Sequence, residues 1–315
     1  MMNKKQTVIA VVGPTASGKT AVGIALAKEY GGEIVSADSM QIYKGLDITT
    51  AKPTQNEMDG IVHHLISEID PTASFSVAEY VKLAKKKIEN IADKGKIPIL
   101  VGGTGLYVSS LIDNISFENQ AADAEVRKRL EREALEVGRE AMHEKLRKLD
   151  PEAAGKIPAA NAFRVIRALE VCITTGIPFS RHKEECRSEE SLYNACMIGL
   201  TYEERSELYN RINRRVDEML ENGMLEECKE VYENESLGTV CQAIGYKELI
   251  PFFEGKCTKE ECIDKIKQYT RNYAKRQLTW FRRDERINWV KIAKDTAFST
   301  IIQECKKIVA KSEIL

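Results

Sequence analysis

A chain of 315 residues with a net charge of −1 can bury the core of one large domain or of two, and it is not a uniformly basic nucleic-acid binder. Its eight cysteines form no C-x-x-C pair and no cluster with histidines, which excludes a zinc site of the usual spacing and a disulfide framework. No run of roughly 18 apolar residues occurs, and the first residues lack the apolar core of a signal peptide. We therefore expect a protein of the reducing cytoplasm with no membrane segment.

The first predicted strand leads directly into a phosphate-binding loop. An apolar run over 7–12 predicts the strand, and GPTASGKT follows it in the form G-x-x-x-x-G-K-[ST]. The loop residues are Gly13, Pro14, Thr15, Ala16, Ser17, Gly18, Lys19 and Thr20. Its backbone amides and the dipole of the helix predicted over 21–30 would converge on phosphate oxygens. Lys19 adds a charge and Thr20 a possible Mg²⁺-binding hydroxyl; a tight strand-to-helix turn is the alternative.

Further elements follow in an alternating order. Apolar runs bounded by turn residues predict strands over 33–37, 97–101, 195–201 and 287–292, with helical patterns between them. This alternation predicts an α/β fold, a parallel sheet flanked by helices. Between 114 and 194 the pattern becomes helical throughout, starting with a charged amphipathic helix over 121–141. We therefore predict an all-helical insertion domain over 114–194, within an α/β core formed by 1–113 and 195–315.

Polar segments follow the second and third strands, at the edge where open parallel sheets bind ligands. Asp38 follows the second strand and could ligate Mg²⁺, act as a general base or cap a helix. The glycine-rich turn over 102–107 follows the third strand, either for close approach to a substrate or as a compact connection. The third strand does not end in an aspartate, so the second Mg²⁺ carboxylate typical of an ATPase is not evident.

Two basic features point to a polyanionic ligand. Arg211 and Arg215 lie four residues apart on one predicted helix face, where either could clamp a diphosphate; surface ion pairing is the alternative. The segment 265–286 holds eight basic residues against two acidic ones, interleaved with aromatic residues. It fits nucleic-acid backbone binding with base stacking, or a solvated helix face. The adjacent His63 and His64 point in different directions on a regular backbone, so we assign them a structural role.

Taken in chain order, the motifs resemble those of the tRNA dimethylallyltransferases over nearly the whole chain. The matching segments are 13–20, 36–43, 63–65, 75–77, 102–107, 164–170, 242–247 and 274–283. The resemblance implies transfer of a dimethylallyl group from dimethylallyl diphosphate to N6 of the adenosine 3′-adjacent to the anticodon, position 37, in tRNAs reading codons that begin with U. It further implies a P-loop NTPase-like core, Mg²⁺ as cofactor, diphosphate as product and an anticodon stem-loop held by the helical insertion. We expect a monomer.

The resemblance also assigns roles to individual residues. The loop from Gly13 to Thr20 binds the diphosphate, and Thr20 holds Mg²⁺. The catalytic residues are Asp38, Thr104, Lys19 and Arg211, with Asp38 as the base for the N6 amine. The tRNA contacts are Asp38, Ser39, Met40, Gln41, Thr104, Arg127, Phe163, Arg164, Val165, Ile166, Arg167, Gln242, Ala243, Ile244, Gly245, Tyr246 and Lys247.

Three other functions stay open on the sequence. An isopentenyltransferase acting on free AMP, ADP or ATP would share the phosphate loop and Asp38, but it needs neither the helical insertion nor the basic segment. A P-loop kinase or ATPase would turn over ATP, and the turn over 102–107 disfavours it. A tRNA-binding protein without catalysis would not depend on Asp38.

Overall fold

The computed structural model describes residues 5–117, 123–181, 190–233 and 238–315, which form two units. The first unit contains the described residues up to Ile112 and those from Leu192 onward. The second contains the described residues between Asp113 and Ser191. The chain returns to the first unit at Leu192, whereas the sequence analysis set this boundary at 195.

A six-stranded parallel sheet forms the centre of the first unit, in the order β3-β2-β4-β1-β5-β6. The strands are β1 Gln6–Val12, β2 Gly32–Ser36, β3 His63–His64, β4 Ile97–Gly102, β5 Tyr193–Tyr202 and β6 Ile287–Ile292. The predicted fold class is confirmed, and five strands lie within two residues of their predicted positions. The strand β3 was not predicted, because two residues carry no periodic pattern.

Helices connect these strands and build the second unit. In chain order they are α1 Lys19–Tyr30, α2 Gln55–Met58, α3 Val77–Asp93, α4 Gly105–Ile112, α5 Ala124–Leu149, α6 Pro151–Lys156, α7 Ala162–Thr175, α8 Arg205–Glu221, α9 Met224–Glu233, α10 Tyr246–Phe253, α11 Lys259–Phe281 and α12 Phe298–Lys311. Ala121, where we predicted the long charged helix to begin, lies outside the described residues. Within the described range that helix continues to Leu149 rather than 141, and Gly138 interrupts it with φ +83°.

The core of the first unit lies between the sheet and the helices α1 and α12. The central strands β1, β2 and β4 are buried on both faces, as covered parallel strands should be. Ile9, Ile34 and Ile99 on these strands pack with Leu26 of α1 and Cys305 of α12. This packing fixes the carboxyl ends of β1, β2 and β4 side by side, with Val12 opposite Gly102 and Ser36 opposite Val101.

The two edges of the sheet end differently. After β3, positive φ angles at Leu65 and Ser67, 62° and 52°, turn the chain away from the sheet. At the opposite edge, β6 is longer; Asn288 and Lys291 are exposed, and its other residues are buried or half-buried.

The second unit is helical in all of its described secondary structure, with its own apolar core. Leu130 and Leu146 of α5 pack against Val165 and Leu169 of α7. Glu170 of α7 is fully buried there and forms ion pairs with two arginines, which offsets the cost of burying its charge.

Two sequence expectations concern membranes and disulfides. Across the described helices, none combines the length and apolarity that a membrane crossing needs. The seven described cysteines are free thiols, and Cys186 lies outside the described residues.

Glu33 of β2 anchors the amino-terminal end of the sheet through charge. Its carboxylate, 3 % exposed, accepts hydrogen bonds from Lys96 Nζ at 2.8 Å and His64 Nε2 at 2.7 Å, and Lys94 Nζ lies at 3.5 Å. Burial raises the pKa of Glu33, but the bonds from Lys96 and His64 outweigh it and hold the pKa at about 2.

We expect Glu33→Gln to lower the free energy of unfolding at pH 7 by about 1–3 kcal/mol, because charge-assisted hydrogen bonds are lost in a buried site. The carboxylate contributes stability above its ordinary pKa of 4.5 and loses it as the pH falls towards 2. The difference between the two proteins should therefore shrink over that range in denaturant titrations. Glu29→Gln, at an exposed pair with Lys306, is the control. A difference independent of pH would contradict the assignment.

Candidate active site

The segment between β1 and α1 has the geometry of a phosphate-binding loop. Gly13 has φ +147°, and a Cβ there would lie 2.6 Å from the carbonyl oxygen of Leu200, so only glycine fits. Gly18, with φ 90°, is the N-cap of α1. None of the described side chains caps α1, so the amides of its first turn are open to an anion.

Lys19 lies at the inner end of this loop. Its ammonium group donates a hydrogen bond to the carbonyl oxygen of Pro14 at 2.6 Å. Burial, and then the charge of Arg215, lower the pKa of Lys19 to about 7, while the nearby Asp38 carboxylate opposes the shift. An anion placed against Lys19 would restore its charge.

A cavity of about 300 Å³ opens beside the loop in the first unit. The described charged residues that line it are four cations and one carboxylate: Lys19, Arg215, Lys247, Arg276 and Asp38. This excess of positive charge in one cavity favours a multiply charged anion. Thr20 lines the same cavity, next to Lys19.

Part of the cavity wall is apolar. Ile34, Met224 and Ile266 line it, and each is at most 2 % exposed. Ile212 and Val216 of α8 extend the same surface. The cavity therefore offers a cationic region for phosphates and an adjoining apolar region for a short hydrocarbon chain.

On the side of the cavity that holds Asp38, the ends of β2 and β4 meet. A Cβ on Gly102 would collide with the carbonyl oxygen of Ala37, so the backbone at the end of β4 packs directly against the backbone that follows β2. The Thr104 amide donates to the same oxygen at 3.1 Å, and the Ser39 amide donates to Thr104 Oγ1 at 3.1 Å. These bonds place the turn that carries Asp38 against the glycine-rich turn.

The carboxylate of Asp38 has a fixed orientation. Its Oδ1 accepts hydrogen bonds from the amides of Met40, at 2.9 Å, and Gln41, at 3.3 Å. The segment that follows is a turn rather than a helix, so Asp38 orders this turn and is not a helix cap. The other oxygen, Oδ2, takes part in neither bond. Ser39, Met40 and Gln41 line the cavity beside it.

The two arginines of α8 occupy different positions. Arg211 donates from Nε to the carbonyl oxygen of Ala16 at 3.0 Å and lies 5.5 Å from the centre of the Tyr202 ring. It lines an open groove of about 1360 Å³ next to the cavity. Arg215 lines both the groove and the cavity and donates to the carbonyl oxygen of Ala51 at 3.3 Å. The predicted set contains Arg211, whereas the structure places Arg215 with Lys19 and Asp38.

One face of α11 supplies cavity residues that the sequence analysis did not assign. Ile266, Thr270, Tyr273 and Gln277 all line the cavity. They recur at intervals of four, three and four residues, which is the spacing of one helical face. This spacing could have indicated a ligand-facing side of the helix, since the segment was already noted for its basic and aromatic residues.

Residues 242–247, which follow α9 and include the first two residues of α10, were predicted to contact tRNA. Their cavity-lining members are Gln242, Ala243, Ile244 and Lys247. Gly245 and Tyr246 have local roles: the Gly245 amide donates to Glu248 Oε2 at 2.7 Å, and Tyr246 is 5 % exposed.

The remaining predicted tRNA contacts belong to the second unit. Phe163 is 68 % exposed, and the Arg127 guanidinium lies 5.0 Å from its ring centre. Arg167 lies 3.0 Å from the buried Glu170 and Arg127 lies 4.0 Å from it. The side chains of Val165 and Ile166 are 1 % and 8 % exposed and form part of the apolar core, so they do not face a ligand. Of the predicted contacts on α7, Phe163 and Arg164 are exposed and Arg167 is half-buried.

The donor groups at the cavity fit an ion that arrives with a phosphate. In the described ranges, no cluster of three or more His, Cys, Asp or Glu side chains could hold a metal. The Thr20 hydroxyl and the Asp38 carboxylate line one cavity. Mg²⁺ commonly binds through one or two such groups together with substrate phosphates and water.

A parallel sheet with a G-x-x-x-x-G-K-[ST] loop between β1 and α1, and with polar groups gathered at the carboxyl ends of its strands, defines a protein of the P-loop NTPase-like fold.

Comparison with known proteins narrows this class to one family. The family model described as IPP transferase matches residues 41–284. A tRNA dimethylallyltransferase of Acetivibrio thermocellus is 47% identical over 305 residues, 96% of this chain and 97% of the relative. One from Bacillus subtilis is 49% identical over 290 residues, 92% of each chain.

Solved structures agree with the sequence relatives. The full-length tRNA isopentenylpyrophosphate transferase of Bacillus halodurans gives a TM-score of 0.74 at 45% identity, covering 98% of this chain and 97% of that one. A eukaryotic dimethylallyltransferase acting on tRNA gives 0.83 at 30% identity, covering 98% and 79%. The chain belongs to the tRNA dimethylallyltransferase family of IPP transferases, which confirms the resemblance drawn from the motifs.

Because the pKa of Lys19 is about 7, this amine is largely neutral at pH 8 in the free protein. We expect binding of an alkyl diphosphate at pH 8 to take up close to one proton, since the anion favours the charged amine. Calorimetry in two buffers of different ionisation enthalpy measures the uptake. Lys19→Met should abolish it, whereas Lys28→Met, on an exposed part of α1, should leave it unchanged. Equal proton uptake by all three proteins would show that Lys19 is not the group that takes up the proton.

Proposed function

We propose that the protein transfers a dimethylallyl group from dimethylallyl diphosphate to N6 of adenosine 37, adjacent to the anticodon, in tRNAs that read codons beginning with U. The observation that carries this proposal is one cavity that joins a cationic phosphate region, an apolar wall and the Asp38 carboxylate. Membership of the tRNA dimethylallyltransferase family supports the choice of donor and acceptor.

The diphosphate is the leaving group, and the phosphate loop would hold it. The amides of the loop and of the first turn of α1 face its oxygens, while Lys19 and Arg215 supply charge from the cavity wall. Arg211 supports the loop by its bond to Ala16. Mg²⁺ bound to the diphosphate and the Thr20 hydroxyl would supply further charge neutralisation. As the carbon–oxygen bond breaks, negative charge collects on a group that these residues stabilise.

The nucleophile is the exocyclic amine of the adenine. Its nitrogen forms the new bond to the allylic carbon, the bond from that carbon to the diphosphate oxygen breaks, and the amine loses one proton. Asp38 would accept that proton; the two amide bonds that fix Oδ1 and leave Oδ2 outside them support this role. Thr104, bonded to the same turn, would contact the base. The apolar wall holds the hydrocarbon chain in line for attack.

The target adenosine must leave its stack in the anticodon loop to reach this cavity. Unstacking costs a few kcal/mol, which contacts to the surrounding loop can offset. We infer that Ser39 to Gln41 and Gln242 to Lys247 contact the flipped nucleotide at the cavity. Phe163, Arg164, Arg167 and Arg127 would bind the stem-loop from the helical unit.

The alternatives from the sequence are less well supported. The relatives named as tRNA enzymes match the chain over nearly its full length, including the helical unit that an enzyme acting on free AMP does not need. We place the reaction in the cytoplasm, which agrees with the free cysteines, and we expect the protein to act as a monomer.

The direct test supplies radiolabelled dimethylallyl diphosphate and Mg²⁺ with unmodified tRNA, and separately with AMP, and measures ATP hydrolysis in parallel. Label in tRNA at adenosine 37, and only in tRNAs that read U-initial codons, is the expected result. Label in AMP, or ATP hydrolysis without transfer, would replace the proposal by the corresponding alternative.

We expect Asp38→Asn to lower kcat for transfer by at least about 10²-fold, because the amide has nearly the same shape but cannot accept the proton. Binding of dimethylallyl diphosphate, measured by calorimetry, should persist. Asp59→Asn, at an exposed aspartate, serves as the control and should transfer normally. Full activity of the Asp38 variant would refute its role as the base.

For the helical unit, we expect Arg164→Ala to weaken tRNA binding and to reduce the slope of log affinity against log salt by about one, because one phosphate contact is lost. Arg132→Ala, at an exposed arginine of α5, is the matched control and should retain the slope. Filter binding at several salt concentrations gives both values. Identical slopes for the two variants would remove Arg164 from the interface.

A further inference from the structure

Gln277 of α11 connects the two glycine-rich loops of the cavity. Its Oε1 accepts a hydrogen bond from the Thr15 amide at 2.8 Å, and its Nε2 donates to the carbonyl oxygen of Gly103 at 2.9 Å. The side chain is 5 % exposed. A buried glutamine with both ends bonded to backbone is well ordered and costly to remove.

The bonding leaves one orientation for the Gln277 amide. The Thr15 amide can only donate and the Gly103 carbonyl can only accept, so exchanging Oε1 and Nε2 would break both bonds. A Cβ on Gly103 would collide with Nε2, so a glycine is needed for Gln277 to reach between the loops.

The connection continues through the glycine-rich turn itself, because Thr104 directly follows Gly103 in the chain. Thr104 in turn accepts the bond from the Ser39 amide, next to Asp38. The two bonds of Gln277 and the bond from Ser39 to Thr104 thus link the loop that faces the diphosphate with the turn that carries the proposed base.

We propose that Gln277 is a positioning residue that sets the phosphate loop in register with the Asp38 turn. This inference rests on the proposed transfer reaction. The allylic carbon is held through its diphosphate, while the amine is held near Asp38, so the separation of the two loops sets the distance over which the new bond must form. A misplacement of about 1 Å at such a centre can lower the rate by about 10²-fold.

The test replaces Gln277 by methionine, which keeps the unbranched shape and removes both bonds. Gln268→Met, at an exposed glutamine of α11, is the matched control. We expect kcat for transfer to tRNA to fall by about 10²-fold in Gln277→Met, with the KM for tRNA and the dissociation constant of inorganic diphosphate each within about threefold of the unchanged protein. The control should match the unchanged protein in all three quantities.

A purely structural role would give a different result. It would lower the melting temperature and the fraction of active protein, while kcat per diphosphate-binding site stayed unchanged, and that outcome would overturn the proposal. Gln277→Glu provides a second variant, which retains an acceptor for Thr15 but repels the Gly103 carbonyl. Normal kcat in this variant would also overturn it. Absence of transfer by the unchanged protein would instead refute the proposed function, independently of Gln277.

Discussion

The burial of positive charge organises this site. Lys19, Arg215, Lys247 and Arg276 share a small cavity with one carboxylate, and burial together with Arg215 lowers the pKa of Lys19. Backbone carbonyl groups partly replace the lost solvent, as at Pro14 for Lys19. The loop amides and the dipole of α1 add positive potential at the same point. A diphosphate complements all of these groups together, so donor binding, protonation and order in the loop are thermodynamically linked.

The sequence predicted those parts of the fold that are determined locally. The phosphate loop followed from its glycines, because the positions of Gly13 and Gly18 require backbone angles that few other residues adopt. Five strands followed from apolar runs. The strand β3 could not be predicted, because its two residues become a strand only by pairing with β2. The charged helix was predicted to end at 141, whereas α5 continues to Leu149 beyond the non-helical backbone of Gly138.

The residues of the site also divide into those that local sequence predicts and those that depend on packing. The positions of Lys19, Asp38 and Thr104 after the ends of β1, β2 and β4 were predictable, since the topology of a parallel sheet brings the carboxyl ends of its strands to one edge. The choice between Arg211 and Arg215 depends on the rotation of α8 against the sheet, which their shared face leaves undetermined. Gln277 contacts a residue 262 positions away in the chain. A contact of that separation exists only after folding, so the spacing on α11 could indicate a face but not its partners.

The unequal edges of the sheet bear on how the protein behaves in a crowded cell. A long, flat edge strand exposes unpaired backbone groups that can pair with another chain. Here β3 offers only two residues before Leu65 and Ser67 turn the backbone away. The β6 edge is longer, but it carries the exposed Lys291, and a charged side chain on an edge strand disfavours pairing with another sheet. Both edge strands therefore disfavour edge-to-edge aggregation, while the carboxyl ends of the strands stay open to ligands.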